Sequence, residues 1–286
     1  MALTGILFVG VTGIVRHLGS NLPAVEAAFI RYAIGLLIIS PVFLRLRHHR
    51  PSASNMKFYA GRGLVHGVAV MLWFYAMARI PIAEVTAIGY VSPIFVTLGA
   101  VFFLKEKLQF RRIMGVVCGF IGALVILRPG FETINLGQMA QLTAAPMFAA
   151  SFIMAKKMTD KTDPALIVAM LSLFCTLTLL PGAILQWRPP STEEILWLTL
   201  TACVATTGHY TLTQAFKAAP ITVTQPIAFL QLVWASSLGM FVFNEPLDFY
   251  VMLGGGIIVA AATYISHREA VIARKAITPP ANATKL

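Results

Sequence analysis

Ten stretches of about 20 mostly apolar residues, separated by short loops that hold most of the charge, constrain this chain more than any other feature. An α-helix rises 1.5 Å per residue, so about 20 such residues cross a ~30 Å hydrocarbon layer. The stretches are 2–19, 24–44, 58–78, 82–104, 111–127, 136–155, 164–186, 194–216, 221–243 and 248–266, each bounded by Pro, Gly or charge. Composition agrees, because 58% of the 286 residues are hydrophobic and only 12% are charged, about half the ~25% of a soluble domain. The runs are continuous and lack the ~10-residue in/out alternation of a membrane barrel. The expected fold class is therefore all-α integral membrane, with ten transmembrane helices.

The net charge of +11 invites a nucleic-acid reading until its placement is considered. With the first residue on the cytoplasmic side, the loops on that side carry Arg45, Arg47, Arg50, Lys57, Lys105, Lys107, Arg111, Arg112, Lys156, Lys157, Lys161 and Lys217. The C-terminal segment adds Arg268, Arg274, Lys275 and Lys285, whereas the opposite loops hold only Arg79, Arg128 and Arg188. The positive-inside rule then puts both termini in the cytoplasm of a multi-pass plasma-membrane protein, the bacterial inner membrane, with no nucleic-acid partner. The first stretch lacks a convincing cleavage site and reads as a retained helix. Cys118, Cys175 and Cys203 lie inside apolar runs, where thiols behave as small hydrophobes. No disulfide framework, metal site or cofactor motif follows from them.

One constant shift of 139 residues aligns the second half of the chain with the first. It pairs Pro81 with Pro220, Ile82 with Ile221, Glu106 with Glu245, Leu108 with Leu247, Phe110 with Phe249 and Gly115 with Gly254, without a gap. Five spans per copy is an odd number, so the second copy enters the membrane from the opposite side. The expectation is two inverted five-helix repeats, 1–130 and 131–267, followed by a disordered cytoplasmic tail, 268–286. Many secondary transporters use that symmetry to alternate access around a midplane site.

Several motifs carry a family resemblance. Phe29-Ile30-Arg31-Tyr32, Ile80-Pro81-Ile82-Ala83-Glu84-Val85-Thr86, Ser92-Pro93-Ile94-Phe95 and Phe103-Leu104-Lys105-Glu106-Lys107-Leu108 recur in part as Ala219-Pro220-Ile221 and Phe243-Asn244-Glu245-Pro246-Leu247. In these the chain resembles the EamA-type members of the drug/metabolite transporter superfamily. The resemblance implies ten spans in two halves. It also implies movement of a small metabolite, such as an amino acid or a nucleoside-like, S-adenosylmethionine-like or vitamin-like solute. Leu232 stands where the first half has Pro93, so a mid-span proline is expected in one half only.

Polar residues inside apolar spans are functional candidates by default, since a charge at the bilayer centre costs at least ~2.5–3.5 kcal/mol on insertion scales. Glu26 is expected to pair with Arg16 or Arg31 and pin the first two helices, with contact to an anionic substrate group as the alternative role of Arg31. Glu84 reads as a helix N-terminal carboxylate or as a receiver of a proton or other coupling cation. Glu106 and Glu245 are expected to bond free backbone amides at the start of the next span. Helical spacing groups His66, Val70, Trp73 and Met77 on one face, and Thr86, Tyr90, Pro93 and Thr97 on another. Thr206, Tyr210, Thr213, Gln214 and Lys217, with His209 beside them, form a third stripe, and Thr224, Ala228, Gln231 and Trp234 a fourth.

Four polar stripes predict a shared central cavity whose aromatic and amide character suits an organic solute. The expected substrate-contacting residues are Arg31, His66, Trp73, Tyr90, His209, Tyr210, Gln214, Gln231 and Trp234; Glu26, Glu84 and Pro93 are the candidates for coupling or gating. His66 and His209 read either as satisfied interhelical histidines or as proton carriers. Gly115, Gly119, Gly122 and Gly254 to Gly256 read as sites of close helix packing. No paired acids, metal cluster or nucleophile with its base is apparent, so no catalytic role is expected. An integral-membrane enzyme and a channel are the alternatives to a transporter.

Overall fold

The computed structural model describes residues 1–45, 53–92, 94–95, 110–128, 133–159, 162–218 and 230–277, and no strand occurs among them. Eleven described helices follow in order: α1 (Ala2–Leu18), α2 (Ala24–Ile39), α3 (Pro41–Arg45), α4 (Ala53–Met77), α5 (Ile82–Gly89), α6 (Phe110–Leu127), α7 (Leu136–Thr159), α8 (Pro164–Leu185), α9 (Thr192–Ala218), α10 (Leu230–Phe243) and α11 (Phe249–Ile277). Each of the ten apolar runs contains one of them, except the run 24–44, which holds both α2 and α3.

Local sequence sets many boundaries. Gly19 ends α1 at φ 62 with its N–H on the carbonyls of Val15 and Arg16, a left-handed residue that glycine adopts without steric cost. Asp163 caps α8 by accepting from the Ala165 amide at 2.8 Å, with Pro164 in the first turn. Ser191 and Glu194 satisfy each other's backbone amides at the start of α9, at 3.2 Å and 2.7 Å, a reciprocal capping box. Asp248 accepts from the amides of Tyr250 and Val251 to start α11.

Three boundaries differ from the expectation. The run 24–44 is broken after Ile39, where Ser40 precedes Pro41 and a short helix of five residues, α3, begins; the missing proline N–H ends the bonding ladder. In the run 82–104 the α-helix stops at Gly89, and Tyr90 and Val91 bond three residues back, to Ala87 and Ile88. Helical backbone resumes at Ser92, and Pro93 itself lies outside the described residues. Finally, α11 continues to Ile277, ten residues into the expected tail, while 278–286 lie outside the described residues.

By length and composition alone, one described helix, α8, is long and apolar enough to cross a membrane, with mean hydropathy 2.2; Ala2–Leu18, Val117–Leu127, Leu230–Phe243 and Phe249–Ala261 are apolar but shorter. Polar side chains within α4 and α9 explain the lower hydropathy of these longer helices, since Arg62 and His66, and Thr201, His209 and Thr213, are buried rather than outward-facing. Outward positions are instead apolar: Leu37 is 71% exposed and Phe241 75%. An exterior of this kind matches a hydrocarbon environment.

Packing pairs distant parts of the chain. α6 lies along α11, α2 along α8, α4 along both α7 and α8, and α1 along α9; α5 meets α7 and α10, α1 meets α10, and α2 meets α9. At the α6–α11 crossing a Cβ on Gly254 would sit 2.5 Å from the Gly122 carbonyl oxygen, and one on Gly122 would sit 2.7 Å from that of Gly254. The glycines let two backbones touch, as small residues do between membrane helices.

Candidate functional site

A cavity of about 220 Å³ lies among α1, α2, α4, α5, α7, α9 and α10. On α4 its wall is formed by His66, Val70, Trp73 and Phe74; on α9 by Ala205, His209, Leu212 and Phe216. Both sets follow the i, i+4, i+7 spacing of one helix face. Arg31 enters from α2, Tyr90 and Ser92 from the turn after α5, Gln141 and Phe148 from α7, and Gln231 from α10.

The floor of the cavity is a cluster of rings and cations. The His66 and His209 rings stand 5.2 Å apart, nearly edge to face, and Phe148 and Phe8 each lie 5.2 Å from one of them. His66 Nδ1 hydrogen bonds with Ser151 Oγ at 2.9 Å. One turn before His66, Arg62 is buried and donates to the carbonyls of Ser151 and Ile167, both at 3.3 Å. The Arg31 guanidinium sits 3.9 Å over the Tyr32 ring, and Tyr32 lies 6.4 Å from His66. Among the described residues, Arg31 Nη1, His66 Nε2 and Gln141 Oε1 are buried without a hydrogen-bond partner, and no group of acids, histidines and cysteines arranged to hold a metal occurs.

Six of the nine expected contact residues therefore meet in one cavity: Arg31, His66, Trp73, Tyr90, His209 and Gln231. Tyr210, Gln214 and Trp234 do not. Tyr210 is 39% exposed and accepts from Gln214 Nε2 at 2.8 Å on the outer side of α9. Adjacent helical residues differ by about 100°, so with His209 turned inward Tyr210 faces away. Trp234 packs on α1, its Cζ3 3.0 Å from where a Gly5 Cβ would stand. The sequence stripes also omitted Arg62, Gln141 and Ser151; Arg62 was legible as the next turn of the His66 stripe.

The end of the bundle away from Met1 is closed by polar contacts. Arg16 pairs with Glu245 at 2.7 Å and donates to the carbonyls of Met77 and Ile80. The other oxygen of Glu245 accepts from the Ile82 amide at 2.8 Å. One acid thus ties together α1, the end of α4, the start of α5 and the turn after α10. Nearby, Gln138 donates to Glu84, and Glu26 accepts from the Arg188 amide at 3.0 Å. These contacts correct the expected pairing of Glu26 with Arg16 or Arg31, because packing brings Glu245 to Arg16 and the loop after α8 to Glu26. They correct Glu245 as well, which caps α5 rather than the span that follows it. Glu106 and Pro93 lie outside the described residues. At the Met1 end, Thr4 bonds Thr211 at 3.0 Å and Lys156 donates to the Phe216 carbonyl.

The family model of the EamA-like transporter family matches residues 1–128 and again 135–267. The chain belongs to that family. As an EamA-like transporter it is an integral membrane protein, and its curated relatives are named as transporters. It is 26% identical over 254 residues to the S-adenosylmethionine uptake transporter of Rickettsia bellii, covering 89% of this chain and 87% of the relative. It is 28% identical to the riboflavin transporter of Vibrio cholerae (94% and 92% covered) and 28% identical to that of Brucella anthropi (90% and 93%). A protein of known crystal structure shares the fold of this EamA-like transporter at TM-score 0.62 and 16% identity, over 97% of this chain and 98% of that one.

Proposed function

We propose that the chain is a secondary transporter that moves a small organic metabolite across the bacterial inner membrane by alternating access. In this reading ten spans form two inverted five-helix repeats, 1–130 and 131–267, with both termini cytoplasmic. The observation that carries it is the behaviour of the cavity wall under the 139-residue shift. His66 maps to Ala205, Val70 to His209, Trp73 to Leu212 and Ser92 to Gln231, and all eight residues line the cavity. Helix pairings exchange in the same way. The α4–α7 contact becomes α9–α1 and α2–α9 becomes α8–α4, while α2–α8 and α6–α11 map onto themselves. A site on the axis relating two repeats is where two-sided access requires it.

Arg31, His66, Trp73, Tyr90, His209 and Gln231 then contact the substrate. Contacts of Glu26, Glu84 and Glu245 with neighbouring helices hold the end away from Met1 shut, and the cavity wall runs toward Met1 and Phe216 at the other end. Opening one end while closing the other moves the solute. His66 and His209 are the candidates to carry a coupling proton, and Pro93 the candidate hinge. The relatives named for S-adenosylmethionine and riboflavin favour amphipathic organic solutes with a flat ring system, which suits walls of Trp73, Tyr90 and Phe148.

The test is uptake into proteoliposomes of labelled amino acids, nucleosides, S-adenosylmethionine and flavins. Saturable flux of at least one, competed by its unlabelled form, is the expected result. Absence of saturable flux across the panel, or non-saturating conductance in a planar bilayer, overturns the proposal.

A further inference from the structure

Three other described arginines of the helix bundle are given acceptors, and Arg31 stands apart from them. Arg62 has two carbonyls, Arg16 has Glu245 and two carbonyls, and Arg128 has Asp248 at 2.9 Å. Arg31 is 5% exposed, lines the cavity, and leaves Nη1 without a partner. Among the described residues no carboxylate pairs with it, and its guanidinium lies 3.9 Å over the ring face of Tyr32. A guanidinium does not lose its proton at physiological pH, and an isolated buried charge is costly unless paired. A second observation lies in the same cavity: His66 Nε2, fully buried, is also without a partner. The described cavity wall contains Arg31, His66 and His209 and no Asp or Glu.

Resting on the transporter reading above, we infer that the substrate is an organic anion whose carboxylate or phosphate seats on Arg31 beside the His66–His209 pair. The planar fork of arginine donates two parallel hydrogen bonds to such groups. The rest of the solute extends along Val70 and Trp73 toward Tyr90 and Gln231. Gln141 Oε1, a buried acceptor without a partner, offers a place for an N–H group on the body of the same solute. The described cavity wall lacks a counter-ion of its own, and the solute supplies it.

The experiment uses the full chain purified in detergent and pairs of compounds that differ in one anionic group. These are indole-3-acetate with indole-3-acetamide, S-adenosylmethionine with its carboxamide, and riboflavin 5′-phosphate with riboflavin. Affinity is read from the concentration dependence of the fraction remaining soluble after heating. In at least one pair the anion is expected to bind about 10-fold or more tightly than its neutral partner, and the first two pairs against the third tell carboxylate from phosphate. Arg31→Gln is expected to bring that ratio close to one, and Arg31→Lys to leave a reduced preference. Neutral members binding as tightly as the anions, or an Arg31→Gln variant that keeps the preference, overturns the anion assignment while leaving the transporter reading intact. Silence from every member overturns both. Because the ratio is measured in the unaltered protein, it decides the matter even where Arg31→Gln does not fold.

Discussion

Replacing Glu245 with Gln removes the charge that joins four helix ends while keeping the shape of the side chain. The glutamine carbonyl can still accept from the Ile82 amide, now at 2.8 Å from Glu245 Oε2. What is lost is the 2.7 Å ion pair with Arg16, whose side chain is 23% exposed against 9% for the acid. Fully buried pairs cost about 3–5 kcal/mol when one partner is removed, exposed ones below ~1 kcal/mol. An intermediate site gives roughly 2 kcal/mol, about a 30-fold change in an equilibrium constant. If the pair exists only while this end is closed, Glu245→Gln raises the minor open population about 30-fold.

The assay is alkylation of Thr86→Cys in the cavity by an impermeant maleimide applied from the Arg16 side of proteoliposomes. The native Cys118, Cys175 and Cys203 are first replaced by alanine or serine. Rates should rise about 30-fold with Glu245→Gln. An Arg16→Met, Glu245→Met double variant should rise no further than either single change. A rate unchanged within about twofold in a well-folded variant refutes the latch, since ~0.4 kcal/mol is too little to gate.

Trp73→Ala and Gln231→Ala should lower saturable flux about 10-fold or more at near-normal folded yield in detergent; equal loss of folded protein would make them packing residues. Tyr210→Phe and Gln214→Leu, on the outer side of α9, should leave flux within about twofold of the parent, because neither lines the cavity. Gly254→Ala should destabilise by about 1–3 kcal/mol in thermal unfolding, since its Cβ would sit 2.5 Å from the Gly122 carbonyl. Gly256→Ala, with nothing within 4 Å of the added methyl, should be neutral or stabilising by up to ~1 kcal/mol through helix propensity. Equal melting shifts for these two glycines would contradict the packing of α6 on α11.

Much of the site was legible because helical periodicity is local information. His66, Val70 and Trp73 share a face whenever residues 58–78 are helical, and they share the cavity wall. The same reasoning failed on α9, where Thr206, His209, Tyr210, Thr213, Gln214 and Lys217 place polar groups around much of the helix. With no single polar stripe, spacing does not choose the inward side. Packing of Ala205, Leu212 and Phe216 against α1 and α7 chooses it, leaving His209 inward and Tyr210 outward.

Sequence by itself determined the helical apolar character of this chain, the 139-residue shift between its halves and the face of α4 that bears His66, Val70 and Trp73. Each of these is read within one span or by comparing two. Tertiary structure alone decided which partners meet. Arg16 lies near Glu26 in sequence and bonds Glu245 near the other end of the chain, and Glu26 bonds the loop after α8. Arg31 is left with no carboxylate among the described residues. An ion pair forms between whichever helix ends the packing brings within a few ångströms, and that depends on the crossing of all the helices at once.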